Sequence, residues 1–507
     1  MRISHMKKII TIVLLSLLLA ILSSCGLIIL NTGEQPFVPE PPPVTETETE
    51  TEPPEIIIVD IDNETTRKVR PVDTADNKAR ADKYLNALTV RDFGGVAIYI
   101  ATSDAAMFTP DEAATIVDAA RIERNQMVEE MYNTKIITIE ADINTIFTQT
   151  LNAYNSDDYY TDIIAIPPES LGLFYSRNLL LNLNMLPFTD YSVQYYYDRD
   201  AMKQMSAGYG VYGIVGEFNK NIDYYYALYF NKTLAEELGV ENPYDLVYDN
   251  KWTMDKFREM TLATVSYDGI FGHGSVLTVD NYIDFIYLSS GETLMDTGYN
   301  QTPALRYAND RGVAIVAMMR NLLYNDRTLY TGSVALGAFY RGDILFYVDT
   351  VSKMEWFYDM SDTWGIVPFP KLDQRHKYNT YVSQAFSVLA VPSNNSNVEN
   401  IGAFLQAANA ASFGYITDRY YAILQRNIVR DSDTLNMLDY ITGYNSRGKL
   451  AFDFAYMFGP QYAYIGDRTY RALRRAVTEN YSLQSLYNAY NKSIIEYTSR
   501  IFPMNLG

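Results

Sequence analysis

Short apolar segments alternate with helical patterns from about residue 84 onward, and this alternation limits the fold more than any other feature. Six segments have the length and apolar content of strands: Val96 to Ile100, Ile136 to Ile139, Ile163 to Ile166, Tyr226 to Phe230, Ile344 to Val348 and Phe386 to Val391. Between them, Ile143 to Tyr154 is helix-like, and Thr109 with Glu112 predicts the cap of a helix ending near Tyr132. Such alternation favours a largely parallel sheet, whose ligands bind beyond the carboxyl ends of the strands.

The composition excludes several classes of function. A net charge of -20 over 507 residues disfavours nucleic acid, because a phosphate backbone is held mainly by Lys and Arg. One cysteine cannot form an intramolecular disulfide or a cysteine-based zinc site, and three histidines leave little for histidine-based metal chemistry. We therefore predict no metal and no cofactor.

The first 25 residues have the organisation of a bacterial lipoprotein signal. Basic residues precede the 14-residue apolar run Ile9 to Leu22, which spans only about 21 Å as a helix, short of the roughly 30 Å hydrocarbon core. The order Leu22-Ser23-Ser24-Cys25 resembles a lipobox, in which the cysteine thiol receives a diacylglycerol. We expect residues 1 to 24 to be removed and Cys25 to anchor the protein to the outer face of the cell membrane. The alternative is an uncleaved membrane span, because Leu27 to Leu30 extend the apolar stretch to about 22 residues.

An acidic segment follows the cysteine. Residues 31 to 60 carry eight acidic side chains and no basic one, and PEPPPVTETETETEPPE (39 to 55) alternates Thr and Glu between prolines. This segment repels itself and cannot bury apolar surface, which predicts an extended, disordered spacer. We interpret residues 25 to 83 as the lipid-anchored cysteine and a tether.

Several later segments resemble one protein family. They are YFNKTLAEELGVENPY (229 to 244), KWTMDKF (251 to 257), GDILFYVDT (342 to 350), WGIVPFPKLD (364 to 373) and the closing helical pair DRTYRALRRAVTENYSLQSLYNAYNKSIIEYTSRI (467 to 501). In this order they are similar to family 1 extracellular solute-binding proteins of ABC importers, and together they cover most of residues 84 to 507.

The resemblance implies a two-lobe, periplasmic-binding-protein-like α/β fold with hinge strands. The lobes are expected to close around a ligand in the cleft between them and to present it to the ABC permease subunits. Ligand contacts with both lobes exist only in the closed form, so the ligand shifts the open-closed equilibrium by its differential affinity. We expect residues 84–229 and 388–430 in lobe 1, residues 232–384 and 440–507 in lobe 2, and a monomer.

The resemblance also implies a carbohydrate as the small-molecule solute. A tyrosine suits such a ligand, because its ring packs on the apolar face of a sugar and its hydroxyl bonds sugar hydroxyls. Candidates in lobe 1 are Ser103, Asp104, Glu169, Ser170, Tyr209 and Tyr212. Candidates in lobe 2 are Tyr282, Ser290, Gly291, Asp349, Thr350, Trp356 and Tyr470. Trp356 is the strongest, because it follows the strand end where the family builds its cleft.

Packing is the alternative role for each aromatic residue. The chain has 44 tyrosines, most of which must pack rather than bind, and we assign Trp252 and Trp364 to packing. His273 and His376 are interpreted as ordinary surface or turn residues.

An enzyme is not predicted, because no GxSxG, HExxH, Walker A or GxGxxG pattern stands in a supporting context. A glycoside hydrolase needs only two suitably spaced carboxylates, which 61 acidic residues cannot exclude, but the importer-like segments rank it lower. The main alternative is a lipoprotein that senses its ligand for a partner kinase, or one that binds a peptide or another solute.

Overall fold

The computed structural model describes residues 74–89, 91–193, 195–207, 210–296, 303–424, 431–443, 448–459 and 465–501. Cys25, the predicted signal peptide, the Thr/Glu-rich spacer and Tyr209 lie outside the described residues. The strands are β1 (Ile98–Thr102), β2 (Ile136–Glu140), β3 (Ile163–Ile166), β4 (Tyr226–Asn231), β5 (Phe271–Ser275), β6 (Met295–Asp296), β7 (Ala304–Leu305), β8 (Ile344–Thr350), β9 (Trp364–Val367), β10 (Tyr378–Thr380), β11 (Val388–Ala390) and β12 (Gly448–Leu450).

The first helix precedes β1, and the others lie between and after the strands. They are α1 (Thr74–Ala87), α2 (Ile116–Tyr132), α3 (Ile143–Ser156), α4 (Leu171–Tyr175), α5 (Arg199–Gln204), α6 (Lys232–Glu237), α7 (Pro243–Tyr248), α8 (Met254–Leu262), α9 (Val279–Ser289), α10 (Asp310–Arg320), α11 (Ala335–Tyr340), α12 (Val398–Tyr415), α13 (Thr417–Ile423), α14 (Ser432–Ile441), α15 (Gly466–Thr478) and α16 (Leu483–Ile501). In the part of the chain that the structure describes, no helix is both long enough and apolar enough to cross a bilayer.

The first sheet organises lobe 1 and has the strand order β11-β3-β1-β2. β1 pairs in parallel with β2 and β3, whereas β11 runs antiparallel to β3. All four residues of β3 are buried, which explains why this strand is a continuous apolar run in the sequence. The predicted strands of this lobe are confirmed to within about two residues, and the carboxyl ends of β1 and β3 lead to Ser103 and Glu169.

One helix start in lobe 1 differs from the prediction. Helix α2 is capped by Thr115, whose side chain accepts a hydrogen bond from the backbone N–H of Asp118. The predicted cap at Thr109 is wrong. The Thr109 hydroxyl instead lies 2.7 Å from the Thr138 hydroxyl on β2, which holds residue 109 in the loop before the helix.

The second sheet organises lobe 2, has the strand order β5-β8-β4-β9 and is mixed. β5 is parallel to β8, but β4 is antiparallel to both β8 and β9, so the expected parallel arrangement does not hold here. Two tryptophans pack in this lobe as predicted. Trp252 is fully buried and donates a hydrogen bond to the Pro368 carbonyl (2.9 Å), and Trp364 donates to the Phe357 carbonyl (2.7 Å).

His273 is buried in β5, so its assignment to a surface or turn is wrong. Its ring nitrogens lie 3.1 Å from the Tyr282 hydroxyl and 3.1 Å from the Leu322 carbonyl oxygen, and burial lowers its pKa to about 4. The neighbouring Gly272 is required for close packing, because a Cβ atom there would lie 2.6 Å from the Cβ atom of Thr261. His376 lies outside regular structure and is half-buried.

Two backbone segments run side by side where the lobes join. Residues 224–226 and 381–383 are antiparallel: Tyr226 N–H donates to the Tyr381 carbonyl (3.0 Å), and Ser383 N–H donates to the Tyr224 carbonyl (2.8 Å). We call this pair of segments the crossover ladder. Tyr226 already pairs with Thr350 in the second sheet, so the chain enters that sheet slightly before the predicted end of lobe 1 at residue 229.

Helix α1 includes the last ten residues of the predicted tether, 74–83. Residues 74–83 form most of α1, which packs antiparallel against α12 of lobe 1. Ala81 is fully buried, and Asn77 donates a hydrogen bond to Asp418 (2.8 Å). The helix is polar on average, and only one narrow face of it is buried.

Candidate functional site

The loop after β1 of lobe 1 is hydrogen-bonded to the crossover ladder. The Asp104 carboxylate accepts hydrogen bonds from the Tyr224 hydroxyl (2.8 Å) and from the backbone N–H of Met107 (3.2 Å). Burial, together with this contact to Asp104, raises the pKa of the Tyr224 hydroxyl. Ser103 is exposed and Asp104 half-buried, so both side chains are accessible from solvent at the end of the strand.

Glu169 lies in a short 3₁₀ helix, Pro168–Ser170, that follows β3. The segment 456–459 approaches it closely: Gly459 has a φ of +61°, and a Cβ atom there would lie 2.9 Å from the Glu169 carbonyl oxygen. Burial raises the pKa of the Glu169 carboxyl to about 7, although the neighbouring Tyr456 and Gln384 side chains act in the opposite direction. Near neutral pH this carboxyl can therefore either donate or accept a hydrogen bond.

Tyrosines lie around Glu169 and interact electrostatically with its carboxyl. This tyrosine cluster consists of Tyr226, Tyr381, Tyr456 and Tyr470. The ring centroids of Tyr226 and Tyr381 are 5.9 Å apart, and those of Tyr381 and Tyr456 are 5.6 Å apart. Tyr226 and Tyr381 remain partly exposed, whereas Tyr470 is 1% exposed and its hydroxyl has no hydrogen-bond partner among the described residues.

Asp349 and Thr350 end β8 on the side of lobe 2 that meets the crossover ladder. The buried Asp349 carboxylate accepts hydrogen bonds from the Tyr347 hydroxyl (2.5 Å) and from the backbone N–H of Thr350 (2.7 Å). Burial raises the pKa of Asp349, although these hydrogen bonds and the charge of Lys353 oppose the rise. The half-buried Thr350 hydroxyl lies 2.8 Å from the Ser352 hydroxyl, which leaves it with capacity for a further partner.

Trp356 belongs to the 3₁₀ helix Val351–Phe357, directly after β8. Its ring is partly exposed, and the Lys353 ammonium lies 4.6 Å from the ring centroid. The same short helix packs against the 3₁₀ helix Ile222–Tyr224, which leads into the crossover ladder. Burial and the nearby charge of Asp223 raise the pKa of Glu355 in this helix. Trp356 therefore lies beside the junction of the two lobes.

Other predicted site residues lie in the interior of lobe 2. Tyr282 is 2% exposed and contacts His273, and Ser290 is fully buried and donates a hydrogen bond to the Tyr287 carbonyl (2.6 Å). Gly291 has a φ of +101° and lies against His376. This geometry favours packing or turn formation at these positions, and a ligand contact there stays a prediction.

Two further predicted residues lie on lobe 1. Ser170 follows Glu169 directly and is half-buried. Tyr212 is also half-buried, with its ring centroid 4.6 Å from that of Tyr175 in an edge-on contact. The neighbouring Gly213 packs against Leu171, so the Tyr212 loop lies next to the helix that follows Glu169.

The sequence did not single out several residues that the fold brings to this junction. They are Tyr224, Tyr226, Lys353, Tyr381 and Gln384. Three of them lie on the crossover ladder. Gln384 follows the ladder and is exposed beside Glu169. The pairing of the two segments, which lie more than 150 residues apart, has no local signature in the sequence.

No protein-family model matches the sequence, and no curated protein is detectably similar to it. Solved structures are similar in fold. The cyclic α-maltosyl-1,6-maltose binding protein from Arthrobacter globiformis has a TM-score of 0.55 at 12% identity, over 80% of this chain and 100% of that protein. UgpB from Mycobacterium tuberculosis, solved in complex with glycerophosphocholine, has a TM-score of 0.51 at 14% identity, over 80% and 99%.

A third similar structure is the GacH receptor of Streptomyces glaucescens GLA.O, solved unliganded and in complex with acarbose and an acarbose homolog. Its TM-score is 0.50 at 13% identity, over 81% of this chain and 99% of that protein. Together these similarities show that the chain has the two-lobe, periplasmic-binding-protein-like fold of ABC solute-binding proteins. The predicted fold class and the resemblance are confirmed at the level of the fold.

The raised pKa of Glu169 predicts a specific pH dependence of stability. The pKa of the Glu169 carboxyl is higher in the folded than in the unfolded chain. Its contribution to stability therefore falls as pH rises from about 4.5 to about 7, and it is constant above that range. Replacing Glu169 with Gln removes the titration. The free energy of unfolding of Glu169→Gln, measured relative to that of the parent, should therefore be about 1 to 3 kcal/mol higher at pH 8 than at pH 5.

Urea denaturation of both proteins at the two pH values measures this difference. Glu130→Gln makes the same chemical change at an exposed position on α2 and should leave the difference between pH 5 and pH 8 as in the parent. An unaltered difference in Glu169→Gln as well would contradict the assignment of this titration to Glu169.

Proposed function

We propose that this protein is a lipid-anchored receptor on the extracytoplasmic face of the membrane. It binds a carbohydrate between its two lobes and delivers it to the permease of an ABC transporter. It acts by binding and not by catalysis. The observation that carries the proposal is the meeting of polar and aromatic side chains from both lobes at the crossover ladder, in a fold used by solute-binding proteins.

The chemistry at the junction suits a sugar. Asp104, Glu169 and Thr350 supply hydrogen-bonding groups from three strand ends, and the partly exposed rings of Tyr226 and Trp356 supply apolar faces. A sugar needs this combination, because its C–H face packs on aromatic rings while its hydroxyls need polar partners in fixed positions. Two of the similar structures were solved as a maltose-type binding protein and as a receptor with acarbose, which supports a carbohydrate here.

The anchor follows from the sequence of the first 60 residues. Cys25 would carry the lipid, and the acidic spacer after it would hold the lobes away from the bilayer. The spacer leads into α1, which packs on lobe 1, so lobe 1 would be the lobe attached to the membrane.

Carbohydrate binding is tested by thermal-shift screening of oligosaccharides, peptides and polyamines at millimolar concentration. Oligosaccharides should raise the melting temperature, because a ligand that binds only the folded state stabilises it.

Trp356→Ala should then weaken binding by about 1 kcal/mol or more, roughly a fivefold loss of affinity, through loss of an aromatic contact. Tyr358→Ala removes an exposed ring two residues further on and serves as the control. Stabilisation by peptides alone would contradict the carbohydrate assignment, and an unchanged affinity in Trp356→Ala would remove that residue from the site.

The anchor is tested separately by Cys25→Ser. In the parent, mass spectrometry should find a lipid-modified Cys25 at the N-terminus, and the protein should fractionate with membranes. Because a serine hydroxyl cannot form the thioether, the variant should lose the lipid and should not be cut before residue 25. An intact Met1 on the parent protein would instead support an uncleaved span.

A further inference from the structure

Acidic side chains dominate the junction of the two lobes. Five carboxyl groups lie there: Asp104, Glu169, Asp223, Asp349 and Glu355. Within the described residues, none of the five forms an ion pair with a lysine or an arginine. The described residues therefore place no directly paired cation against any of these five carboxyl groups.

The two basic groups that act on these carboxyls are already engaged. Arg121 acts on Asp223 and Tyr224 from a distance, but its guanidinium forms an ion pair with Asp118 (2.9 Å). Lys353 influences Asp349 while its ammonium lies over the ring of Trp356. Neither base is among the groups that act on the pKa of Glu169.

Three of the other four carboxyl groups at the junction have protein donors. Asp104 accepts from Tyr224 and Met107, Asp349 accepts from Tyr347 and Thr350, and the Tyr420 hydroxyl donates to Asp223. Burying a carboxylate without a compensating cation is unfavourable, and such donors reduce the cost. For Glu169, burial is the largest influence on the pKa, and the side chains of Tyr456 and Gln384 oppose it.

The surroundings of Glu169 suit a cation from solution. The partly exposed rings of Tyr226 and Tyr381 have centroids 5.9 Å apart and lie near enough to the Glu169 carboxyl to interact with it electrostatically. The faces of aromatic rings attract positive charge. The buried Tyr470 hydroxyl, which also interacts with Glu169, lacks a hydrogen-bond partner among the described residues. The carboxylate, the ring faces and this hydroxyl are together suited to bind a ligand that carries an ammonium group and further hydrogen-bonding substituents.

We propose that the solute bound at the junction carries a positively charged amino group, which pairs with Glu169 beside Tyr226 and Tyr381. The class of ligand that combines this charge with the proposed carbohydrate is an amino sugar, such as an oligosaccharide of glucosamine. That the ligand is a sugar rests on the proposed function, and that it is positively charged rests on the arrangement of the carboxyl groups. Binding would supply the cation that Glu169 lacks, whereas a neutral sugar of the same shape would leave its charge uncompensated.

Two matched ligand pairs separate charge from shape. The β-1,4-linked glucosamine disaccharide differs from cellobiose by ammonium groups in place of hydroxyls, and choline differs from 3,3-dimethylbutanol by its charged nitrogen. Isothermal titration calorimetry with the full chain should show the glucosamine disaccharide binding about tenfold or more tightly than cellobiose at pH 7. Glu169→Gln, which keeps the shape of the side chain, should bring the two affinities to within about twofold. The control Glu130→Gln should keep the preference.

Each outcome decides a different part of the proposal. If cellobiose binds as tightly as the glucosamine disaccharide, or more tightly, the positive charge is wrong while a carbohydrate receptor stands. If neither sugar binds but choline binds more tightly than 3,3-dimethylbutanol, the charge is supported and the carbohydrate is wrong. If neither cationic probe binds more tightly than its neutral partner, the charge is overturned. A preference that persists in Glu169→Gln overturns the role of that residue.

Discussion

The antiparallel backbone pairing of residues 224–226 with residues 381–383 is the interaction on which the candidate site depends. It joins the segment that leads into β4 of lobe 2 to the segment that leads into β11 of lobe 1. Tyr225 continues the same network, because its carbonyl accepts a hydrogen bond from the backbone N–H of Val351 (2.8 Å). The ladder therefore fixes where the strand ends carrying Asp104, Glu169 and Thr350 come together.

Local patterns in the sequence predicted the elements of the fold well. β3 and α3 appear as expected, because the interactions that stabilise them, a short buried run and the Asp142 cap found in the structure, act over a few residues. The failures involve competition between local signals and distant contacts. Thr109 has the sequence of a helix cap, but its hydroxyl lies against β2, and His273 lies between glycines that serve packing and not a turn.

The candidate site was predictable only in part. Asp104, Glu169, Thr350 and Trp356 were predicted from their positions after strand ends, and all four lie beside the junction of the lobes. Their contact with a ligand stays a prediction. The tyrosine cluster was not predictable as a unit, because its members come from four segments that only tertiary packing unites. Among 44 tyrosines, no local property distinguishes Tyr381 from a packing residue. The family resemblance supplied the two-lobe arrangement that periodicity alone does not specify.

The central claim is that one ligand contacts both lobes at the crossover ladder. A crystal structure of the protein with the oligosaccharide that stabilises it most tests this directly. The account predicts that the sugar lies within hydrogen-bond distance of Glu169 on lobe 1 and contacts Thr350 or Trp356 on lobe 2. A sugar bound to one lobe alone, or away from the crossover ladder, would contradict it.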